Sequence, residues 1–406
     1  MAFRVRVARD LDEYRKAVSV IGHYFGWEPT AEDAERFSRL LPPDRLHCVF
    51  DGAAIVAGAG VMPLELTIPG GSLTCAGVTV VGVLPSHRRR GLLTRLMGAQ
   101  LRDVRGRGEP IAALWASEET IYGRYGYGLA SLGLMAEAKR RTSQLRSDLP
   151  AREGTIRMID HETALRLLPP LYNRIARRTV GFLARPRDWW ELRTLDDREE
   201  RRRGAGPLNR TLLELDGEPA GYAIYRIKME GSGSEWHKKV VVHDAFGVDA
   251  RATREIWRFL LEIDWTDEIE TRLLPLDHPL FLLTSRVNEL RARLWDGLWV
   301  RLVDVGVALA ARSFACAGRV TLEVVSDPLF PENVGTWTIE GSTVRRSSRR
   351  PDVRLDVQAL GAAYLGGFSF RELAAAERAE EIARGGLARA DALFATPAAP
   401  WCPEIF

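Results

Sequence analysis

The sequence has few cysteines, no long apolar run and almost no net charge, and each shortage closes off a class of protein. Four cysteines in 406 residues, at positions 48, 75, 316 and 402, show neither paired metal-ligand spacing nor the density of a disulfide framework, so they read as ordinary thiols. The seven histidines, at 23, 47, 87, 161, 237, 243 and 278, include no pair at the spacing of a helical zinc site, and no metal is expected. Val78 to Pro85 and Val303 to Ala311 are the best apolar stretches, but both fall short of the roughly 18 uninterrupted residues of a membrane-spanning helix. Fifty-seven basic against 54 acidic residues leave a net charge of +3, too little for a nucleic-acid partner. Met1 to Asp10 alternates apolar with charged residues and lacks the apolar core of a secretory signal, so the expected location is the cytoplasm.

What is present is enough chain for two or three units, each able to bury its own core. Two hairpins come first: His47 to Phe50 returning through Asp51-Gly52 into Ile55 to Val61, then Leu64 to Ile68 returning through Pro69-Gly70-Gly71 into Leu73 to Val83. After Val83 the period changes from two to 3.6. Leu92, Leu93, Leu96, Met97, Leu101 and Val104 share one helical face, and a short strand (Ile111 to Ala116) and a short helix around Glu118 to Tyr125 follow.

A polar stretch at Arg140 to Glu153 marks a boundary, after which the order repeats. Leu212 to Leu215 and Ala220 to Ile227 form a hairpin, Val240 to Phe246 a strand, and Ile256, Trp257, Leu260 and Leu261 a helical face. Beyond about Trp295 the pattern changes again, with strands at Val320 to Val325, Gly335 to Ile339 and Ser342 to Val344 and helices at Leu360 to Tyr364 and Phe370 to Arg378. The fold class expected is α+β, with domains at 1–148, 149–292 and 293–406.

The chemistry is carried by the turn between Val83 and the first long helix. A helix N-terminus presents amides without intrahelical partners and favours an anion, Gly91 lets a backbone approach a pyrophosphate, and arginines add charge-assisted contacts. Three arginines before a helix also suit a plain solvated end. The strand leading directly into the turn and the tyrosine-bearing segment some thirty residues on favour the phosphate cradle.

Arg88 and Gly91 resemble the Arg/Gln-x-x-Gly-x-Gly/Ala motif of the GNAT acetyltransferases, with Leu93 departing from its last position. His87-Arg-Arg-Arg-Gly-Leu-Leu93, followed by Ala116-Ser-Glu-Glu-Thr-Ile-Tyr-Gly-Arg-Tyr-Gly-Tyr-Gly128, is similar to the Eis (enhanced intracellular survival) family over nearly the whole chain. The resemblance implies two fused GNAT-like domains, mixed sheets flanked by helices, and a C-terminal sterol-carrier-protein-like domain. It implies acetyl-CoA as cosubstrate, with Val81, Gly82 and Val83 on the pantetheine arm, Arg89, Arg90, Gly91, Leu92, Leu93 and Thr94 on the pyrophosphate, and Ser117 and Glu118 as further contacts. Tyr122 would be the proton donor and the terminal carboxylate of Phe406 the base.

The implied acceptor is a primary amine of a polycationic small molecule (aminoglycoside, polyamine or lysine-like), and the implied assembly a homohexamer. Alternatives are a protein-lysine acetyltransferase or a non-catalytic lipid-binding scaffold. Glu28, Asp33, Glu35 and Glu404 are candidate pocket acids. Val248 to Glu255 has no glycine opening its helix, so the second domain is expected to lack a cofactor, and Asp188-Trp189-Trp190-Glu191 either packs or lines a cavity.

Overall fold

The computed structural model describes residues 3–232 and 235–406, so part of the Met1 to Asp10 segment lies outside the described residues. The chain forms two compact units. Residues through Ser131 join Leu298–Pro400 and Ile405–Phe406 in the first, and Leu132–Gly297 joins Trp401–Glu404 in the second.

The first unit is built on a seven-stranded sheet in the order Arg4–Val7, Leu46–Asp51, Ala54–Ile68, Gly71–Val83, Ile111–Leu114, Trp299–Leu302, Gly128–Leu129. The two expected hairpins are present but share one strand, because Ala54–Ile68 runs unbroken through Pro63. Proline cannot donate to a ladder, so it needs a position where no partner asks for its N–H. Pairing with Leu46–Asp51 reaches only Gly60, and Pro63 lies beyond it. Gly71–Val83 and Ile111–Leu114 are parallel and are joined, as parallel strands must be, by a crossover: the helix Leu92–Gly106. That helix buries Leu92, Leu96, Met97, Leu101 and Val104, the stripe its period marks out.

Trp299–Leu302 pairs antiparallel with both Ile111–Leu114 and Gly128–Leu129. The chain leaves this sheet at Ser131 and re-enters it at Leu298, and the two crossings are tied together. The Ala130 and Ser131 amides donate to Leu298 O at 2.9 and 3.2 Å, and the Leu298 amide donates to Ser131 Oγ at 2.9 Å.

The rest of the first unit carries a five-stranded sheet ordered Thr343–Arg346, Gly335–Glu340, Arg319–Val324, Val353–Leu355, Ala379–Glu381. The expected helix Phe370 to Arg378 is shorter, Phe370–Ala375. Glu377 adopts φ 57°, which ends helical propagation and leads the chain into the strand Ala379–Glu381. The helix Val357–Tyr364 packs against the first sheet at glycines on both sides. A Cβ at Gly128 would overlap Gln358 O and one at Gly361 would overlap Val300 O.

Beside that contact, Arg301 and Asp327 form a pair with both side chains fully buried and Nη2 2.7 Å from Oδ1. Asp327 also accepts from the Leu329 and Phe330 amides and from Asn333 Nδ2, each at 2.9 Å. Asp327→Ala would strand a buried guanidinium whose Nε and Nη1 already have no partner. The expected loss is about 3–5 kcal/mol of unfolding free energy, read by denaturant titration, and Arg301→Met added to it should recover part of that loss.

The second unit has its own seven-stranded sheet, ordered Arg293–Asp296, Leu132–Lys139, Glu268–Leu274, Glu235–Gly247, Glu218–Ser232, Asn209–Leu215, Thr155–Met158. Its one parallel pair among the described residues, Glu235–Gly247 with Glu268–Leu274, is again bridged by a helix, Ala250–Leu261. The echo of the first unit is therefore structural. Among the described residues no helix is long and apolar enough to cross a membrane, and no group of three or more His, Cys, Asp or Glu could hold a metal.

Candidate active site

Gly71–Val83 and Ile111–Leu114 pair only between Cys75–Gly77 and Ile111–Ala113. The longer strand then runs on to Val83 with no strand beside it on that side among the described residues, and an open wedge follows. Its backbone is prepared by a bulge. The register with Ala54–Ile68 moves from Gly58↔Gly82 to Gly60↔Thr79, so Ala59 faces both Val80 and Val81, and Val80 takes φ 47°. A β-branched residue at positive φ costs about 1–3 kcal/mol and persists only where its surroundings hold it.

The Leu84 amide donates to Val56 O at 2.9 Å, which makes Val83 and Ala57 a non-hydrogen-bonded pair. The backbone groups of Val83 therefore point away from Ala54–Ile68 and into the wedge. In this structure the Tyr24 hydroxyl donates to the Val83 carbonyl at 2.5 Å. No sequence signal singles out Tyr24, since that contact spans 59 positions. Gly82 is buried and its register partner is Gly58.

The helix after the wedge opens at Gly91 in the left-handed conformation, φ 71°, with no side chain capping it. Glycine suits that conformation, and Arg89 shares it at φ 61°. The first amides of the helix, at Leu92, Leu93 and Thr94, have no acceptor within the helix. The Leu92 side chain is buried and Leu93 packs on the core, which leaves their backbone N–H groups as the polar feature of the turn. The Arg88, Arg89 and Arg90 side chains are exposed and make no ion pair among the described residues, whereas His87 Nε2 lies 3.3 Å from Asp51 Oδ2. The equivalent helix of the second unit opens differently. Asp249 accepts from the Ala252 amide at 2.8 Å, so a carboxylate already occupies the place an anion would take.

Ser117 and Glu118 are exposed where the chain leaves Ile111–Leu114, and the short helix Glu119–Tyr122 follows. Tyr122 is buried in one cluster with Val78, Leu114 and Tyr127, against which Val81, Leu93 and Ala116 pack. Its ring stands edge-on to Tyr127 at 6.1 Å. Burial, then the negative field of Glu118 and the neighbouring Tyr125, push its hydroxyl up to about 12, with a Ser117 hydrogen bond acting the other way. Tyr125 lies 3.3 Å, oxygen to oxygen, from Thr94, joining this segment to the helix start.

Phe406 is buried in the same unit. Its ring edge lies 3.2 Å from where a Gly77 Cβ would sit, at the residue where the two strands part. A glycine inside a strand is the one sequence signal for so close an approach. The tail before it is anchored within the second unit. The Trp401 amide donates to Val180 O at 2.7 Å, and its ring packs edge-on against Phe182 and Phe246. Glu404 pairs with buried Arg185 and accepts from Trp189 Nε1 at 3.2 Å, while Arg185 Nη2 also holds Asp244 at 3.1 Å.

Among the four candidate acids, Glu404 is thus engaged by an arginine and Asp33 forms a capping box with Thr30. Glu28 and Glu35 are exposed. Trp189 and Trp190 pack in the interior.

Comparisons with known proteins agree with this geometry. Models described as acetyltransferase (GNAT) domains match residues 4–130 and 181–302, and a sterol carrier protein domain model matches residues 305–403. An uncharacterized N-acetyltransferase of Streptomyces avermitilis is 39% identical over 413 residues, covering all of both chains. N-acetyltransferase Eis of Mycobacterium tuberculosis is 32% identical over 378 residues, 90% of each chain. The crystal structure of Eis1 from Mycobacterium abscessus superposes with a TM-score of 0.86 at 32% identity, covering 99% of this chain and 100% of that one. A strained strand edge beside an open wedge, an uncapped helix start with three unpaired arginines, and relatives matching from end to end together make this chain an acetyl-transfer enzyme: it belongs to the Eis family of GNAT N-acetyltransferases.

Proposed function

We propose that the first unit transfers acetyl from acetyl-CoA to a primary amine of a polycationic small molecule, with Phe406 and Tyr122 moving the protons. The observation that carries this reading is the burial of the chain's last residue against Gly77, where the strands separate, in the same unit as Tyr122. A frayed terminus has no reason to place its ring there.

Acetyl-CoA supplies a thioester carbonyl for the amine to attack. The backbone of Val81, Gly82 and Val83 would hold its pantetheine arm, and the Gly91 to Thr94 amides with Arg89 and Arg90 its pyrophosphate, assisted by Ser117 and Glu118. As the C–N bond forms and the C–S bond breaks, the terminal carboxylate of Phe406 takes the ammonium proton, and the Tyr122 hydroxyl, as the acid of the pair, holds its proton toward the departing sulfur, which leaves with its negative charge hydrogen-bonded. A phenol raised to about 12 remains protonated at neutral pH and can always donate. Because a thiol's ordinary pKa is about 8.5, complete proton transfer to sulfur is uphill, and the hydroxyl works chiefly as a hydrogen-bond donor to developing negative charge.

The test is spectrophotometric detection of free thiol across a panel of aminoglycosides, polyamines, lysine derivatives and a lysine-bearing protein. Turnover confined to the small polycations supports the reading, whereas turnover of the protein alone would replace it with lysine acetylation of proteins. The arginines have a separate signature. Arg89→Ala and Arg90→Ala should each raise KM for acetyl-CoA about tenfold while kcat changes little, since each removes a charge-assisted contact present in ground and transition states alike.

A further inference from the structure

The second unit holds a cavity of about 410 Å³ whose lining has the opposite sign to one for a polycation. Eight arginine or lysine side chains face four carboxylates around it. Strand alternation explains why. In Glu218–Ser232, Glu235–Gly247 and Glu268–Leu274, the residues Ile227, Val240 and Ile269 turn to the apolar core. Their alternates Arg226, Lys228, Val241 and Arg272 turn to the other face and line the cavity, and His243 joins them at a bulge between Val242 and Asp244. The segment carrying Arg193 and Arg203 supplies another wall.

Internal pairing takes up much of this charge, with Lys228 on Glu230 at 2.7 Å and Arg202 and Arg226 on Asp197, but not all of it. Asp244 and Glu404 are both committed to Arg185, Asp196 to Arg198 and Arg201, and Glu270 to Arg272 and Lys239. Arg226 is only 3% exposed and reaches Asp197 and Gly206 O through Nη1, but its buried Nε–H has no acceptor. Arg203 is exposed and makes no ion pair among the described residues.

The geometry points to a binding site in this cavity for a compact, multiply charged phosphate-type oxyanion, distinct from the Arg88 to Thr94 turn of the first unit. Arginine forks match tetrahedral oxyanions bidentately, and the cavity is of ligand size. A polyamine would be repelled there. The site does not depend on the acetyl-transfer reading, because its test measures binding alone. The ligand meant is a free oxyanion and not a phosphate of coenzyme A held at the Arg88 to Thr94 turn, and the experiment separates the two.

Calorimetric titration of the full chain with inorganic pyrophosphate, at about 0.1 M salt to limit screening, should show saturable binding. Arg203→Asn combined with Lys228→Gln should weaken it about tenfold or more. Asparagine tolerates the left-handed backbone at position 203, where φ is 49°. Arg272→Gln provides a second variant, and an unchanged melting temperature certifies the fold of each. Binding should persist in Arg89→Ala/Arg90→Ala and in the presence of saturating coenzyme A. No binding at millimolar pyrophosphate, equal binding by the cavity variants, or abolition by coenzyme A or by the Arg89/Arg90 substitutions would each overturn the proposal.

Discussion

Appending two residues after Phe406 should lower kcat for acetyl transfer by about 10²- to 10⁴-fold, the range for losing a positioned general base, while leaving the melting temperature close to that of the native chain. Phe406 is 8% exposed and its ring is seated beside Gly77, so packing can survive an extension. The charge at its α-carboxyl cannot, because a peptide bond replaces it and the new carboxylate is carried away from the seat. A chain ending in an amide makes the sharper comparison, since it keeps every atom of the ring and removes only the negative charge. Both variants should fail together in the thiol-release assay. Full turnover by either would place the base elsewhere.

Tyr122→Phe should cost a comparable factor in kcat with little change in KM for acetyl-CoA, because the hydroxyl acts on charge that develops only in the transition state. The ring's edge-on contact with Tyr127 at 6.1 Å is retained by phenylalanine, so a loss of activity would not be a loss of fold. The pH dependence adds a second readout. The active form of this group is the protonated one, and its pKa is raised to about 12. That form persists as pH rises and is lost only on approaching that value. The native enzyme's kcat should therefore show no descending limb between about pH 7 and about pH 10. A fall in that interval would identify a different proton donor.

Much of the candidate site's local geometry was legible because it depends on neighbouring residues. The basic turn, its single glycine and the 3.6-residue period that follows lie within one stretch of chain. Helix-start chemistry depends on neighbours in sequence, and Gly91 at φ 71° with no side-chain cap is what that stretch implied. The second unit's helix was legible for the same reason, through the period of Ile256, Trp257, Leu260 and Leu261 and the lack of a glycine opening it, while the cap from Asp249 came from the structure. Other elements left no trace that could be read locally. Trp299–Leu302 has four residues, all buried, too few to display a period, and it completes a sheet that the chain left at Ser131. The bulge at Val80 leaves a run of valines looking like any other strand. Glu404 reads as a surface acid near a terminus, yet a buried arginine far away in sequence holds it.

The sequence by itself determined the order of strands and helices from His47 to Tyr125, its echo from Leu212 to Leu261, and the character of the turn at Arg88 to Thr94. Each follows from side-chain period and backbone propensity over a few neighbouring residues. Only the tertiary structure decided where the two parallel strands part, which late strand closes the first sheet, and that Phe406 comes to rest beside Gly77. Those outcomes depend on which distant surfaces bury one another, and a free energy of burial summed over contacts hundreds of residues apart has no local signature.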